Sequence, residues 1–486
     1  MKRVLAFDFG ASSGRAIIAS YDGDKITLEE VHRFSNDPVM LNGTLYWDAL
    51  RLFFEIKQGI TKAKLAGGFD SIGVDTWGVD FGLIDDKGCL VENPVHYRDA
   101  RTVGFIEKAA KLISKEEMYD ITGIQFMEFN TAFQLLSIKE KRPELLDRAA
   151  KLLFMPDLFS YFLTGKTVAE YSIATTSQLV EAAAGKWSDR MCEALGIPKR
   201  LLPEIVMPGR TVGMLSPGIC EELGVPAVPV IAVCGHDTQS AVSAVPAAEK
   251  DFVFISSGTW SLFGTEVEEP IINEATRTLN VTNEGGFDGA IAFLKNICGL
   301  WLIQESRRQW KREGKEYSFA ELETLAKAAA PFRCFIDPDA SDFVLPGDMP
   351  GRVREFCRRT GQYVPETVGE VIRCIYESLA MKYRHTFAGI QNCTGKTYER
   401  IYVVGGGTKD KFLLGMTADA CGVTVSAGPV EATVMGNVAA QFIAAGELKD
   451  IAEARAAVSR SCAPELFAPG DTAAWDQAYE RFVKIL

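Results

Sequence analysis

Two stretches of the chain, 4–19 and 252–267, follow one plan: a short apolar strand, a turn of small residues, and a second strand. Val4–Phe9 leads through Gly10–Arg15 into AIIASY, and DFVFI leads through SSGT into WSLFGTEV. Apolar runs punctuated by Ser/Gly turns are the signature of hairpins. A chain of 486 residues is about three times the ~150-residue domain prior, so a device repeated at that distance implies one fold used twice.

The first copy continues through the turn DGDK into ITLEEVHRF, which makes a meander. Helical periodicity follows from about Trp47 to Leu65, with Trp47, Leu50, Phe53, Phe54 and Ile60 assigned to its apolar face, and then a strand, SIGVDTWG. Strands, a helix and a further strand predict an α/β layer in each copy and a cleft between copies. A Pro- and Gly-bearing stretch from Pro208 to Pro229 precedes the junction at Val245–Lys250, which sets expected domains of 1–246 and 247–486. The segment from about Thr472 reads as a closing helix.

Composition removes several function classes. Hydrophobic residues at 47% against 24% charged suit a globular chain with a sizeable core. The net charge is −12 and no window forms a dense Lys/Arg stripe, which argues against a nucleic-acid partner. Asp8 interrupts the apolar start and no stretch approaches ~18 uninterrupted apolar residues, so neither a secretory leader nor a membrane span is expected. Eleven scattered cysteines without a C-x-x-C pair point to a reducing cytoplasm. The four histidines, His32, His96, His236 and His385, form no metal spacing.

Four constellations could carry chemistry. In the turn Gly10–Arg15, bare backbone N–H groups together with Ser12, Ser13 and Arg15 could cradle phosphates, and the turn could equally be an ordinary hairpin corner. Its counterpart at Ser256–Thr259 favours the first reading, because two such turns can grip a polyphosphate. Asp8, between Phe7 and Phe9, is a carboxylate in a burying strand; it needs a cation such as Mg²⁺, or donors from the following turn. Asp237 stands where the apolar run from Val228 gives way to a helix-like segment, as an N-cap or as an ionised acceptor for a hydroxyl proton. Gly405, Gly406 and Gly407 end a β-branched strand, either as a flat surface for a planar base or as a tight turn; Asp410 occupies the third-glycine place of the dinucleotide fingerprint.

Other matches are decoys. GKT at 165–167 and at 395–397 lacks the earlier P-loop glycine, which is Ser160 or Ile390 here. Gly10, Ser12 and Gly14 fit G-x-S-x-G, but a strand rather than a helix follows. Arg98, Asp99 and Arg101 in YRDART could bind a polyol or lace a surface with ion pairs, the second being slightly favoured.

In order along the chain, DFGASSGR, VDTWGVDF, YRDART, GIQF, MPDLFSYFLTGK, HDTQSAV, SSGTWSL, NVTNEGG, LKNICGLWL, VVGGG and ADACGVTVSAGPVEAT resemble the FGGY family of carbohydrate kinases over nearly the whole length. The resemblance implies a duplicated actin-like (ribonuclease H-like) ATPase fold of the α/β class. Its two domains, N-terminal for sugar and C-terminal for nucleotide, would flank a catalytic cleft. It implies transfer of the ATP γ-phosphoryl to the 1-hydroxyl of L-rhamnulose, with L-fuculose or L-xylulose as alternatives. A non-catalytic sugar or nucleotide sensor is the rival of another class.

Carried over by motif, Asp237 would be the catalytic base. Gly78, His236, Thr238 and Asn296 would surround the sugar. ATP would meet Ala11, Ser12, Ser13, Gly14, Arg15, Thr259, Gln304 and Gly406, and Asp8 would face Mg²⁺. Trp77, Phe81 and Phe126 are candidates for an apolar wall against the sugar methyl, or core. Lys409, Asp410 and Lys411 depart from uncharged residues of some relatives, which bears on the adenine contacts. The protein would act as a monomer or homodimer in the cytoplasm, with a small ketose and ATP as its partners.

Overall fold

The opening hairpin forms as the alternation predicts. In a computed structural model that describes residues 2–486, β1 (Arg3–Phe9) pairs antiparallel with β2 (Ser13–Tyr21), Asp8 opposite Arg15, and β3 (Ile26–Ser35) continues the meander. Val4, Leu5, Ala6, Phe7 and Phe9 are all fully buried, so β1 is a central strand covered on both faces. On its other side it pairs parallel with Ser71–Thr76, which pairs parallel with Pro229–Ala232, and Arg210–Met214 closes that edge antiparallel.

The helix α1 (Ala49–Leu65) is capped by Asp48, whose side chain accepts from the Arg51 N–H. Its buried face is Ala49, Leu52, Ile56, Gly59, Ile60 and Ala63, whereas Leu50 and Phe54 are 63% and 55% exposed. The expected apolar face was therefore turned: apolar residues occur all round this helix, and the phase is set by Leu52, Ile56, Ile60 and Ala63 at spacings near 3.6. Phe53 stays at the boundary, edge-on to Phe162.

The second hairpin, Val253–Ser257 with Trp260–Val267, opens a second sheet. Six of its strands run in the order Ile291–Cys298, Trp260–Val267, Val253–Ser257, Arg400–Val404, Thr424–Ala427, Glu465–Phe467. The first sheet reads β3, β2, β1, Ser71–Thr76, Pro229–Ala232, Arg210–Met214. Strand Val253–Ser257 is parallel to Arg400–Val404, which is parallel to Thr424–Ala427, and the last strand is antiparallel. These are the directions of the matching strands of the first sheet, so the duplication extends from the hairpin across the three strands beyond it. The closing helix is Ala473–Phe482.

The chain forms two compact units. The first contains residues 1–248, 266–293 and 431–462, and the second 249–265, 294–430 and 463–486. In the first, helix Ala432–Ala444 lies against β1 and Ser71–Thr76 and packs on helix Asp237–Ser243. Gly436 makes that approach possible, since a Cβ there would stand 1.7 Å from the Ser240 carbonyl oxygen. No helix among the described residues is long and apolar enough to cross a membrane.

Candidate active site

Parallel strands of an α/β sheet deliver side chains and loops to their carboxyl ends, where ligands bind. In the first unit these ends carry acids. Asp8 near the end of β1 is in register with Asp75 on the neighbouring strand. The next residue, Thr76, forms a bridge with His236, and Asp237 follows as the first residue of helix Asp237–Ser243.

Asp8 is buried, and burial raises its pKa; Arg15 opposes that shift, and Glu431 adds to it. Arg15 donates to both Asp8 and Glu431, the latter beginning helix Ala432–Ala444 as its cap residue. Arg15 thus sits between two carboxylates, and the turn before it, Gly10–Ser12, is pinned by Asn36, whose side chain donates to the Gly10 carbonyl at 2.9 Å. The strand after that turn, Ser13–Tyr21, removes the hydrolase reading of Ser12.

Asp75 is fully buried and its pKa lies well above the usual carboxylate range, from burial first and from Asp8 second. Asn437 donates to its Oδ2 at 2.5 Å, while Oδ1 has no hydrogen-bond partner. An orphaned buried carboxylate oxygen beside Asp8 is the kind of donor set a hard divalent cation takes. The same pattern, an acid inside an apolar strand, is present at Asp75 in SIGVDT.

Asp237 does not hold the cap position of its helix. His236 holds it without a side-chain cap bond, and Asp237 Oδ1 accepts from Thr238 Oγ1 at 3.3 Å. Burial is the main cause that pushes its pKa up to about 6; His236 opposes this and Asp8 adds to it. The helix N-terminus therefore does not hold it in the ordinary range. His236 Nδ1 lies 3.0 Å from Glu284 Oε2 and Nε2 3.6 Å from Asp237 Oδ1. Burial would depress the imidazole, yet Glu284, Asp237 and Glu170 together raise it. Glu170 fixes the turn from below: its Oε2 accepts from the Gly235 N–H at 2.8 Å and from Ser172 Oγ, which in turn accepts from the His236 N–H at 3.3 Å.

The Gly78 segment lies beside this turn. A Cβ on Gly78 would stand 3.2 Å from His236 Nε2, so a side chain there would crowd the imidazole. Asp80 anchors the segment by accepting from Trp47 Nε1 at 2.7 Å, Trp77 Nε1 and the Tyr97 N–H at 3.0 Å each, and Gln134 Nε2 at 3.0 Å. Arg101 donates to Gln134 Oε1 at 2.5 Å and supports Asp80 electrostatically. YRDART is accordingly part of this buried network and not a surface lace of ion pairs. Trp77 and Phe81 belong to two different hydrophobic cores, while Phe126 remains half-buried.

In the second unit the same strand ends carry hydroxyls and glycines. The turn Ser257–Thr259 lies beside Gly405–Gly407: Gly405 adopts a φ of +88°, and a Cβ on Gly407 would meet Ser257 Oγ at 2.0 Å. Helix Trp301–Arg312 starts against this turn, with the Trp301 N–H donating to the Thr259 carbonyl at 3.0 Å and Thr259 Oγ1 to Gln304 Oε1 at 3.4 Å. Gly406 is exposed and no atom would oppose a Cβ there, which leaves a flat open backbone. Asp410 caps helix Lys411–Cys421 and accepts from the Tyr376 hydroxyl at 2.7 Å; a structural cap is what stands in the place of the third glycine. Asn296 lies in Ile291–Cys298 of the same sheet. The acids and His236 are thus gathered in the first unit, and Thr259, Gln304, Gly406 and Asn296 in the second.

Family models decide what this arrangement is. Residues 3–243 match the N-terminal domain of the FGGY family of carbohydrate kinases, and residues 253–445 its C-terminal domain. The chain belongs to the FGGY family of carbohydrate kinases. It is an enzyme of the sugar-kinase class, and kinases of this class use ATP. It is 44% identical over 479 residues to a rhamnulokinase from Bacteroides thetaiotaomicron, covering 98% of each chain. It is 39% identical to one from Bacillus subtilis, covering 96% of this chain and 95% of that one. Among solved structures it superposes on a ligand-bound xylulose kinase from Lactobacillus acidophilus with a TM-score of 0.82 at 16% identity, covering 100% and 98%. A Plasmodium falciparum glycerol kinase with ADP gives 0.78 at 16%, covering 99% and 98%. Those structures establish the two-domain α/β kinase fold.

Proposed function

We propose that the protein transfers the γ-phosphoryl of ATP to the 1-hydroxyl of L-rhamnulose, giving L-rhamnulose 1-phosphate and ADP. The observation that carries this reading is full-length identity of about 40% to several rhamnulokinases. The site chemistry agrees in kind, because phosphoryl transfer needs alignment, charge neutralisation and an acceptor for the hydroxyl proton.

Asp237 takes that proton. With its pKa at about 6 it is ionised at neutral pH and basic enough to accept a proton as the acceptor hydroxyl attacks. His236, held by Glu284, and the backbone around Gly78 and Thr238 orient the ketose. The phosphates meet the backbone of Ala11–Gly14 and the hydroxyls of Ser12 and Ser13; Arg15 fixes Asp8. Within the second unit, Thr259, Gln304 and the open face at Gly406 are the residues proposed for the nucleotide.

Asp8 and Asp75 would hold Mg²⁺, which when bound supplies neutralisation of phosphate charge. The orphaned Oδ1 of Asp75 supports this fit. The work is done in the cytoplasm, by a monomer or homodimer. Release of ADP with Mg·ATP across L-rhamnulose, L-fuculose, L-ribulose, L-xylulose, D-xylulose and glycerol tests the reading, with Asp237→Asn as control. Preference for L-rhamnulose, lost in the control, is expected; preference for another ketose overturns the substrate, and silence on all of them overturns turnover itself.

A further inference from the structure

Three cysteines of the second unit converge. Cys334 comes from the stretch between two helices, Cys357 from helix Met349–Arg359, and Cys374 from helix Val368–Thr394. All three are buried, at 3%, 0% and 2% exposure, and their sulfurs lie within 4.8 Å of one another. None is in a disulfide. A single buried thiol is a small hydrophobe. Three from separate segments, meeting at one point, make a preformed set of soft ligands.

The geometry suits three-coordination. At a metal–sulfur length of about 2.3 Å, a trigonal set places its sulfurs about 4.0 Å apart, inside the observed span. Zinc asks for a fourth ligand, and no histidine or carboxylate among the described residues joins this group.

Charge then selects the ligand. Three thiolates carry three negative charges, so a monovalent centre would leave two and a divalent centre one, whereas a trivalent centre leaves none. The acidic groups that act on Cys334 are Glu370 and Glu377, and Arg373 is already paired with Glu377 at 2.5 Å. A residual negative charge there would be buried beside carboxylates without a partner.

We propose that Cys334, Cys357 and Cys374 form a binding site for a trivalent thiophilic centre, with arsenous acid as the ligand class. Three As–S bonds form and three As–O bonds break. Each departing hydroxide takes one thiol proton, so three waters leave and no group changes oxidation state. The product is neutral, as this interior requires.

Native mass spectrometry of the reduced full-length protein with arsenite tests this. The expected result is one adduct whose mass gain is one arsenic less three hydrogens. A two-thiol adduct would keep a hydroxyl and be heavier by one water. The adduct is expected to be lost in Cys334→Ala and in Cys374→Ser, and kept in Cys192→Ala and Cys421→Ala. The wild-type mass does not depend on any variant folding. Absence of the adduct, the heavier mass, persistence of the adduct in Cys334→Ala, or a reduced protein lighter by the two hydrogens of a disulfide would each overturn the proposal.

Discussion

The two sheets share strand order and direction across the hairpin and the three strands beyond it, but differ at the ends of their central parallel strands. In the first unit those ends carry Asp8, Asp75 and, one turn on, Asp237; in the second they carry Ser257, Gly405 and Gly407. One backbone plan has thus been given two chemistries. Burial raises the pKa of all three carboxylates, Asp8 adds to the shifts of Asp75 and Asp237, and the sheet end so made has a demand for protons and cations. Small residues at the same place expose backbone instead and leave room for a ligand to lie flat. Position in the fold fixes where a site sits, and side chains at the strand ends fix what it does.

That contrast can be broken from either side. The largest effect is expected from the first sheet: Asp237→Asn should lower kcat by about 10²- to 10⁴-fold with little change in KM for ATP. Steady-state kinetics on both substrates check this, and a near-normal kcat would remove Asp237 from proton transfer. The same residue sets the pH dependence. Its reactive form is the carboxylate, so kcat should rise with pH through about 6 and level off above.

The sign for stability is opposite. A folded pKa of about 6 against a usual 3.8 means the folded state holds its proton longer, so Asp237 costs stability as pH rises across that window. Asp237→Asn should therefore raise Tm at pH 7, by the equivalent of at most about 3 kcal/mol, and leave it unchanged at pH 3. Differential scanning calorimetry at the two pH values reads both numbers.

From the second sheet, Gly407→Ala should raise KM for ATP while sparing the ketose KM, because its Cβ would displace Ser257. A uniform loss of folding would show instead that the turn is only structural. Asp410→Ala removes a helix cap and the Tyr376 bond, and should cost about 1 kcal/mol in urea denaturation. The smallest effect is expected from Phe54→Lys on the exposed face of α1, within about 0.5 kcal/mol of the parent.

The hairpins, the α/β class and the positions of Asp8, Asp237 and the glycine run were legible because each depends on local pattern. The face of α1 was not, since Leu50 and Phe54 are as apolar as Leu52 and Ile56 and only the neighbouring sheet decides between them. Glu284, Glu431 and Asn437 were not legible as site residues: Glu284 and Glu431 lie inside the quoted runs NVTNEGG and ADACGVTVSAGPVEAT, but only the fold brings them to His236 and Arg15, and Asn437 to Asp75. Asp75 was legible by the argument used for Asp8. Asp80 lies in VDTWGVDF beside one of its donors, Trp77, but the other three, Trp47, Tyr97 and Gln134, come from separate segments that only the fold brings together.

Helix Ala432–Ala444 gives the protein a particular history on the ribosome. The first unit has nearly all of its sheet after 250 residues of synthesis, yet the side chains that cover Asp75 and Arg15 are made almost two hundred residues later. At translation speeds of about 5–20 residues per second, the nascent acid cluster waits on the order of ten seconds or more without them. During that interval it is a half-built domain with an uncovered sheet face. The time taken to read residues 250–444 therefore sets how long that face waits for its cover.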